Sequence, residues 1–284
     1  MSPPLPAYDV AAIQAGLQTA AFGRTLHYHE SLPSTNTTAI TLAQEGARHG
    51  TLVLADAQTA GRGRRGRLWH SPPGRNVYCS TILRLPPSQA EYLTIIPLAS
   101  ALAVADAIAD LTAVQCRLKW PNDVLIRNKK VAGFLCESVG GQSESIVIVG
   151  IGINVNSRPD DFPDDTRAMA MTLLSELGRP VDRSGLVSTL MNRLEERTDG
   201  VSPHTMPHLF TAYRNRCDTL GQLVRAVLGN GEVIEGLAET IDPDGSLLIR
   251  LDEQKVAART GRLVRIRSAD IVHLRRVTDT GAMG

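Results

Sequence analysis

Thr51-Leu-Val-Leu-Ala-Asp-Ala57 runs directly into Gln58-Thr-Ala-Gly61-Arg62-Gly63-Arg64-Arg65-Gly66-Arg67-Leu-Trp69. The first stretch is almost wholly apolar and reads as a strand. The second holds four arginines and three glycines in the seven positions 61 to 67. Glycine lets a backbone bend closely around a ligand. Arginine offers a planar fork of donors that fits carboxylate and phosphate oxygens. A strand delivering such a loop reads as a closing anion clamp. The plainer alternatives are a solvated basic loop or an Arg-Gly patch on RNA.

The chain has 284 residues, 43% of them hydrophobic, enough for one large domain or two smaller ones. Lys plus Arg, 30, nearly balances Asp plus Glu, 29, for a net charge of +1. That balance argues against a bulk binder of nucleic acid or membrane and makes the basic loop a local feature. Cys79, Cys116, Cys136 and Cys217 are far apart and form no C-x-x-C, as expected of reduced, mostly buried thiols rather than a metal site. Met-Ser-Pro-Pro-Leu-Pro at the start lacks the pattern of a signal peptide. No apolar run approaches a membrane span. The expectation is a soluble, cytoplasmic protein.

Outward from the loop, the pattern predicts a short helix within residues 1–22 and a strand over Arg24 to Glu30. A helix opens at Ser34-Thr35-Asn36, where Ser or Thr suits a cap. Asn76 to Leu85 and Ser145 to Val155 read as strands. Ser88 to Leu111 has helical spacing and reads as one buried helix interrupted near Pro97. Val114 to Trp120 reads as a strand ending at the turn Pro121-Asn122-Asp123. Val124 to Arg127 and Lys130 to Val139 read as a hairpin around Asn128-Lys129, and Ser157 to Asp165 as an ordinary surface loop. Helices are expected near 184–197 and 205–216. From about Leu220, short alternating segments are separated by Gly229-Asn-Gly231, Asp242-Pro-Asp-Gly245 and Thr260-Gly261, which predicts a small barrel of hairpins.

Gly61-x-Gly63-x-x-Gly66 matches the dinucleotide fingerprint only formally, because Pro72-Pro73 opposes the helix that the fingerprint needs. No Walker-type loop and no protein-kinase signature occurs. Lys119-Trp120-Pro121-Asn122-Asp123 reads as a rigid turn presenting polar groups. Its Asn suits phosphate or ribose and its Asp suits Mg²⁺. Lys130 then stands on a strand ahead of Gly133, and Gly150-Ile-Gly152-Ile-Asn154 places glycines in a buried strand, a sign of close approach by a ligand or by another backbone.

These segments occur in the order and spacing of biotin protein ligases, and the chain resembles that family over about residues 24–275. The resemblance implies an α+β fold. A mixed β-sheet with helices packed on it, class II synthetase-like, would occupy 1–218, and a small SH3-like β-barrel 219–284. It also implies ATP-dependent activation of biotin as biotinyl-5′-AMP, then transfer to one lysine of a biotin carboxyl carrier protein, a subunit of acetyl-CoA carboxylase. Lys130 and Arg64 would be catalytic. Ser34, Thr35, Asn36, Gln58, Arg62, Gly63, Arg64, Lys130, Gly133 and Gly152 would bind biotin, the last two glycines leaving room for its rings. Arg67, Trp69, Asn122, Asp123 and Asn154 would serve ATP, with Asp123 on Mg²⁺. The arginine loop would order on its anionic ligands.

Some members of the family add an N-terminal winged helix-turn-helix. The segment ahead of Ser34 is too short for one, so the expectation is a ligase that binds no DNA and no membrane. Arg262, Arg265, Arg267, Arg275 and Arg276 read as a solvated face of the barrel. Family members are often dimers through the catalytic sheet, which makes a homodimer one expectation. A lipoate ligase, sharing fold and chemistry, is the rival enzyme. A non-catalytic Arg-Gly RNA module is the rival from another class. His27 and His29 share a strand face and read as structural.

Overall fold

The computed structural model describes residues 7–140, 144–251, 262–267 and 269–273. Among these, β1 (Leu26–Leu32), β2 (Leu52–Gln58), β3 (Val77–Leu85), β4 (Arg117–Lys119), β5 (Asp123–Ile126), β6 (Lys129–Val139) and β7 (Ser145–Ile153) form one sheet. Its order is β1-β2-β3-β7-β6-β5-β4. β1 and β2 pair in parallel and the other neighbours antiparallel, so the sheet is mixed.

The apolar run that opens β2 is continuous because both of its faces are covered. Leu52 and Leu54 enter the main core, while Val53 and Ala55 enter a second cluster on the opposite face. The helices are α1 (Val10–Gly16), α2 (Thr35–Gln44), α3 (Ile96–Thr112), α4 (Asp164–Arg167), α5 (Leu173–Leu177), α6 (Arg183–Asp199) and α7 (Met206–Arg216). α2 closes the second cluster with Ala39 and Ala43 over Ile82, Ile146 and Ile148. α3 lies in the main core between α6 and the strands β4 to β6. It is buried at every position from Ile96 to Ile108 except Pro97, as a helix apolar all round must be.

The structure moves three expected boundaries. The stretch from Ser88 is not one helix: a 3-10 segment, Pro87–Thr94, meets α3 at 67°. The break falls at Ile95, and Pro97 sits in the first turn of α3, where a missing N–H is tolerated. Regular strand before Trp120 is confined to β4. The β5–β6 hairpin turns on Arg127 and Asn128, both left-handed with φ 50° and 63°, rather than on Asn128-Lys129. Among the described residues no single helix is long and apolar enough to cross a membrane.

The alternating C-terminal segments form a small antiparallel sheet. Its strands are β8 (Leu223–Val227), β9 (Val233–Ile241), β10 (Leu247–Leu251), β11 (Leu263–Ile266) and β12 (Asp270–His273), ordered β11-β10-β9-β8-β12. Gly231 and Gly245 take the positive φ that their predicted turns require. Thr260-Gly261, Arg275 and Arg276 lie outside the described residues. Arg225 pairs with Glu235, Arg250 with Glu239, and Arg265 with Asp242 and Asp244, as on a solvated ionic face.

Trp120 ties this sheet to the first. It is 2% exposed, its backbone N–H donates to Thr219 Oγ1 at 3.0 Å, and its indole N–H donates to the Gly245 carbonyl at 3.1 Å. Trp120→Phe preserves most of the ring packing but leaves that carbonyl without its donor. The expected loss is about 1–3 kcal/mol, read as a lower midpoint in urea denaturation. An unchanged midpoint would show that the indole bond contributes nothing.

Candidate active site

Along one face β7 reads Ile146, Ile148, Gly150, Gly152, since alternate residues share a face. α2 covers the isoleucines. At the glycines a cleft of about 820 Å³ opens, at the large end for a small-ligand site. Gly133 and Leu135 of β6 stand opposite Gly152 and Gly150 and complete the floor. Side chains descend onto this bare backbone. A Cβ at Gly150 would lie 1.9 Å from Asn36 Oδ1, and one at Gly152 would lie 2.4 Å from the Trp69 ring. One at Gly133 would meet Lys130 Cε at 2.7 Å. The room expected over Gly133 and Gly152 is thus filled here by Trp69 and Lys130.

At one end sits a polar group built on the first turn of α2. Ser34, Thr35 and Asn36 are buried. Gln58, at the end of β2, accepts through Oε1 from Thr35 N at 2.9 Å and from its hydroxyl at 3.2 Å. Its Nε2 donates to Ser71 Oγ at 3.0 Å. Ser80 Oγ lies 2.7 Å from Thr35 Oγ1 and 2.6 Å from Asn36 Oδ1.

The other end is built from β5, β6 and the segment after β7. Lys130 Nζ and Asp123 Oδ1 are 2.6 Å apart, and Nζ also stands 5.1 Å from the Trp69 ring centroid. Asn122 and Phe134 exchange bonds, Nδ2 to the Phe134 carbonyl at 2.9 Å and Phe134 N to the Asn122 carbonyl at 3.2 Å. Asn154 is clamped beside them, its backbone N–H on the Val131 carbonyl and its Nδ2 on the Lys130 carbonyl at 3.3 Å. Trp120–Pro121, which leads into this corner, is a cis peptide.

The arginine loop spans the two ends. Gly63 N–H donates to the Arg67 carbonyl at 2.7 Å and Trp69 N–H to the Gly61 carbonyl at 2.9 Å, closing a hairpin-like ladder. Its tip is a 3-10 turn, Arg64–Gly66, in which Arg65 and Gly66 have φ 56° and 71°. The guanidiniums fan out. Arg62 pairs with Glu137 at 2.8 Å. Arg64 donates to Asn122 Oδ1 and to the Ala269 carbonyl, each at 3.2 Å. Arg65 donates to the Val227 carbonyl at 2.5 Å, and Arg67 lies against the Arg64 carbonyl at 3.4 Å. Val227 ends β8 and Ala269 immediately precedes β12, so the loop touches both parts of the chain.

Every sequence-predicted site residue therefore lines this cleft, and the structure adds others. Phe162, Pro163, Asp165, Thr166, Met169 and Ala170 form a wall, so Ser157 to Asp165 is not an ordinary surface loop. The wall is anchored on Lys130, whose N–H donates to the Met169 carbonyl and whose carbonyl accepts from Met171 N, both at 2.8 Å. Short Pro- and Asp-rich turns give no periodic signal, so this was illegible. Glu137 was also missed, though counting by twos from Gly133 along β6 reaches it. His27 and His29 stay half-buried on β1, and no metal-holding group of three or more His, Cys, Asp or Glu occurs among the described residues. The four cysteines are free thiols, and burial pushes that of Cys136, on β6, up to about 12.

Residues 28–154 match the model of the Biotin/lipoate A/B protein ligase family, and residues 219–274 that of the Biotin protein ligase C terminal domain. The bifunctional ligase/repressor BirA of Bacillus subtilis is 39% identical over 244 residues, covering 85% of this chain and 74% of that protein. The biotin–[acetyl-CoA-carboxylase] ligase of Mycobacterium tuberculosis is 35% identical over 247 residues, covering 85% and 86%. The structure of a biotin protein ligase from Aquifex aeolicus in complex with biotin and ATP superposes with a TM-score of 0.73 at 30% identity, covering 89% of this chain and 99% of that one. The order of motifs, the mixed sheet with its appended small sheet and these likenesses agree, and the chain belongs to the biotin protein ligase family.

Proposed function

We propose that this chain joins biotin to a lysine of a carboxyl carrier subunit of acetyl-CoA carboxylase. In the first step a biotin carboxylate oxygen attacks the α-phosphorus of ATP. The bond to the bridging oxygen breaks, giving biotinyl-5′-AMP and pyrophosphate. In the second step the carrier's ε-amine attacks the acyl carbon, the carbon–oxygen bond to AMP breaks, and an amide forms with loss of a proton. The observation that carries this reading is one cleft holding the Ser34–Asn36 polar turn, the Lys130–Asp123 pair and a loop of four arginines. No protein nucleophile is needed.

One anion must attack another, so cations must screen the approach and stabilise the charge growing on phosphorus. We assign that to Lys130 and Arg64. Ser34, Thr35, Asn36 and Gln58, with the backbone at Arg62 and Gly63, would take the polar end of biotin, over the floor of Gly133 and Gly152. Arg67, Trp69, Asn122 and Asn154 would take the nucleotide. Mg²⁺ fits as an ion carried on the phosphates, a common arrangement for this cation. Asp123 would be its protein ligand, freed when the anions draw Lys130 away. We place the division between catalytic and C-terminal parts at 218/219, supported by the start of the second family match at 219.

The test is exchange of labelled pyrophosphate into ATP with biotin, lipoate or neither. Biotin-dependent exchange is expected, falling about a hundredfold or more in Lys130→Ala. Lipoate-dependent exchange would move the chain to the sister activity, and none with either acid would sink the reading. Asp123→Asn should raise the Mg²⁺ concentration needed for half-maximal exchange; an unchanged requirement would remove Asp123 from the metal. Ligands should also draw the loop arginines inward and order them. Trypsin is expected to cut at 62–67 more slowly with biotin and ATP present, and equal cutting would refute that ordering.

A further inference from the structure

Side chains two apart share a face of a strand, so β6 presents Gly133, Leu135 and Glu137 together. Gly133 and Leu135 line the cleft, and Glu137 is the next residue in the row. A single carboxylate oxygen there has two partners. Oε2 accepts from Asn36 Nδ2 at 2.7 Å and from Arg62 Nη2 at 2.8 Å. The first partner is a buried residue of α2, the second a residue of the arginine loop.

The amide of Asn36 has ends of opposite chemistry. Nδ2 faces two groups that accept and cannot donate, the Glu137 carboxylate and the Leu135 carbonyl at 3.2 Å. Oδ1 faces the Ser80 hydroxyl and the bare backbone of Gly150. Ser80 alone could not set this orientation, since a hydroxyl serves an amide either way round. The carboxylate, the shorter of the two acceptor contacts, sets it together with the Leu135 carbonyl, and leaves the oxygen of Asn36 on the side of the glycine floor.

Resting on the biotin ligase reading above, the geometry points to Glu137 as a positioning residue with two tasks, orienting Asn36 and anchoring the arginine loop at Arg62. It keeps Asn36 an acceptor toward the floor, which favours a bound ring that offers N–H groups, as a cyclic urea does. The same oxygen anchors the loop at Arg62. When the loop lifts, Glu137 keeps its hold on Asn36, so recognition survives opening while retention does not.

Glu137→Gln nearly preserves size but presents an NH₂ as well as an oxygen, so Asn36 is held one way round only by the longer contact to the Leu135 carbonyl at 3.2 Å. Arg62→Gln removes only the loop anchor. The full-length wild type, both single variants and the double variant would be compared. The readouts are biotin KM and kcat in pyrophosphate exchange, and the rate at which preformed labelled biotinyl-5′-AMP leaves the protein. Glu137→Gln should raise KM for biotin up to about tenfold, the scale of one hydrogen bond, with kcat little changed. Both single variants should speed adenylate release about threefold, the scale of a partly exposed ion pair, and the double variant no further. Arg62→Gln, which keeps the backbone of the biotin site and its bond-making Asn36 side-chain amide, should raise the biotin KM less than Glu137→Gln does.

Wild-type KM and release rate in Glu137→Gln would overturn this assignment while leaving the activity in place. No exchange in the wild type would overturn the activity and the assignment with it. Should Glu137→Gln melt early, Arg62→Gln on its exposed loop decides: unchanged adenylate release would overturn the anchoring role.

Discussion

The site depends on an absence, the missing side chains of Gly150 and Gly152. On the same face of β7, Ile146 and Ile148 are packed under α2 and belong to the fold. Two residues further on the row becomes glycine, and Asn36 and Trp69 come to rest on the backbone itself. Any side chain there would collide within 1.9 to 2.4 Å. Glycine in a strand interior is destabilising by roughly 0.5–1 kcal/mol relative to alanine. The surrounding core offsets that, since Val149, Ile151 and Ile153 on the other face are almost fully buried. One strand thus serves the core with one face and the ligand with the other. Trp69, held low by Gly152, in turn gives Lys130 an aromatic neighbour.

The charges of the cleft are held loosely enough to be redistributed. Lys130 and Asp123 have side chains 33% and 24% exposed, so water reaches the pair, although Asp123 Oδ1 itself is buried. A pair of this kind contributes about 1 kcal/mol or less. A fully buried pair could not be opened so cheaply, because removing one partner strands a desolvated charge at about 3–5 kcal/mol. An incoming carboxylate and polyphosphate supply more negative charge than Asp123 alone. Exchange of partners at Lys130 and Arg64 is therefore within reach of ordinary binding energy. The Arg62–Glu137 pair is of the same half-exposed kind, so the loop is fastened without being fixed.

Much of this was legible in the sequence because it rests on local rules. The two-faced burial of β2 follows from an unbroken apolar run, and the small sheet from alternation punctuated by Gly231 and Gly245. The site motifs were legible for a related reason: glycines inside strands and arginines inside a glycine loop are poor choices for folding alone. What escaped depends on contacts between distant residues. The wall at 162–170 is brought to the site by the bonds of Lys130 to Met169 and Met171, with Leu173 N–H on the Asn154 carbonyl just beyond. Phe162 looked like any loop aromatic until it lined the cleft. The hairpin turn shifted by one residue because Arg127 accepts a left-handed conformation that composition assigned to its neighbours.

The compactness of Lys119-Trp-Pro-Asn-Asp123 has a physical explanation. Consecutive residues there answer to different parts of the structure. Trp120 is committed to the core and the small sheet, through Thr219 and Gly245. Asn122 is committed to β6, through its reciprocal bonds with Phe134, and its free oxygen lone pairs receive Arg64. Asp123 opens β5 opposite Gly133 and faces Lys130. An insertion of one residue would turn Asp123 to the other face of the sheet or pull Trp120 from its socket, because strand faces alternate with every residue. The small sheet and the cleft are therefore linked by a segment that cannot stretch. Movement of that sheet would be felt at Asn122, and at Arg64 through Ala269, before it reached the glycine floor.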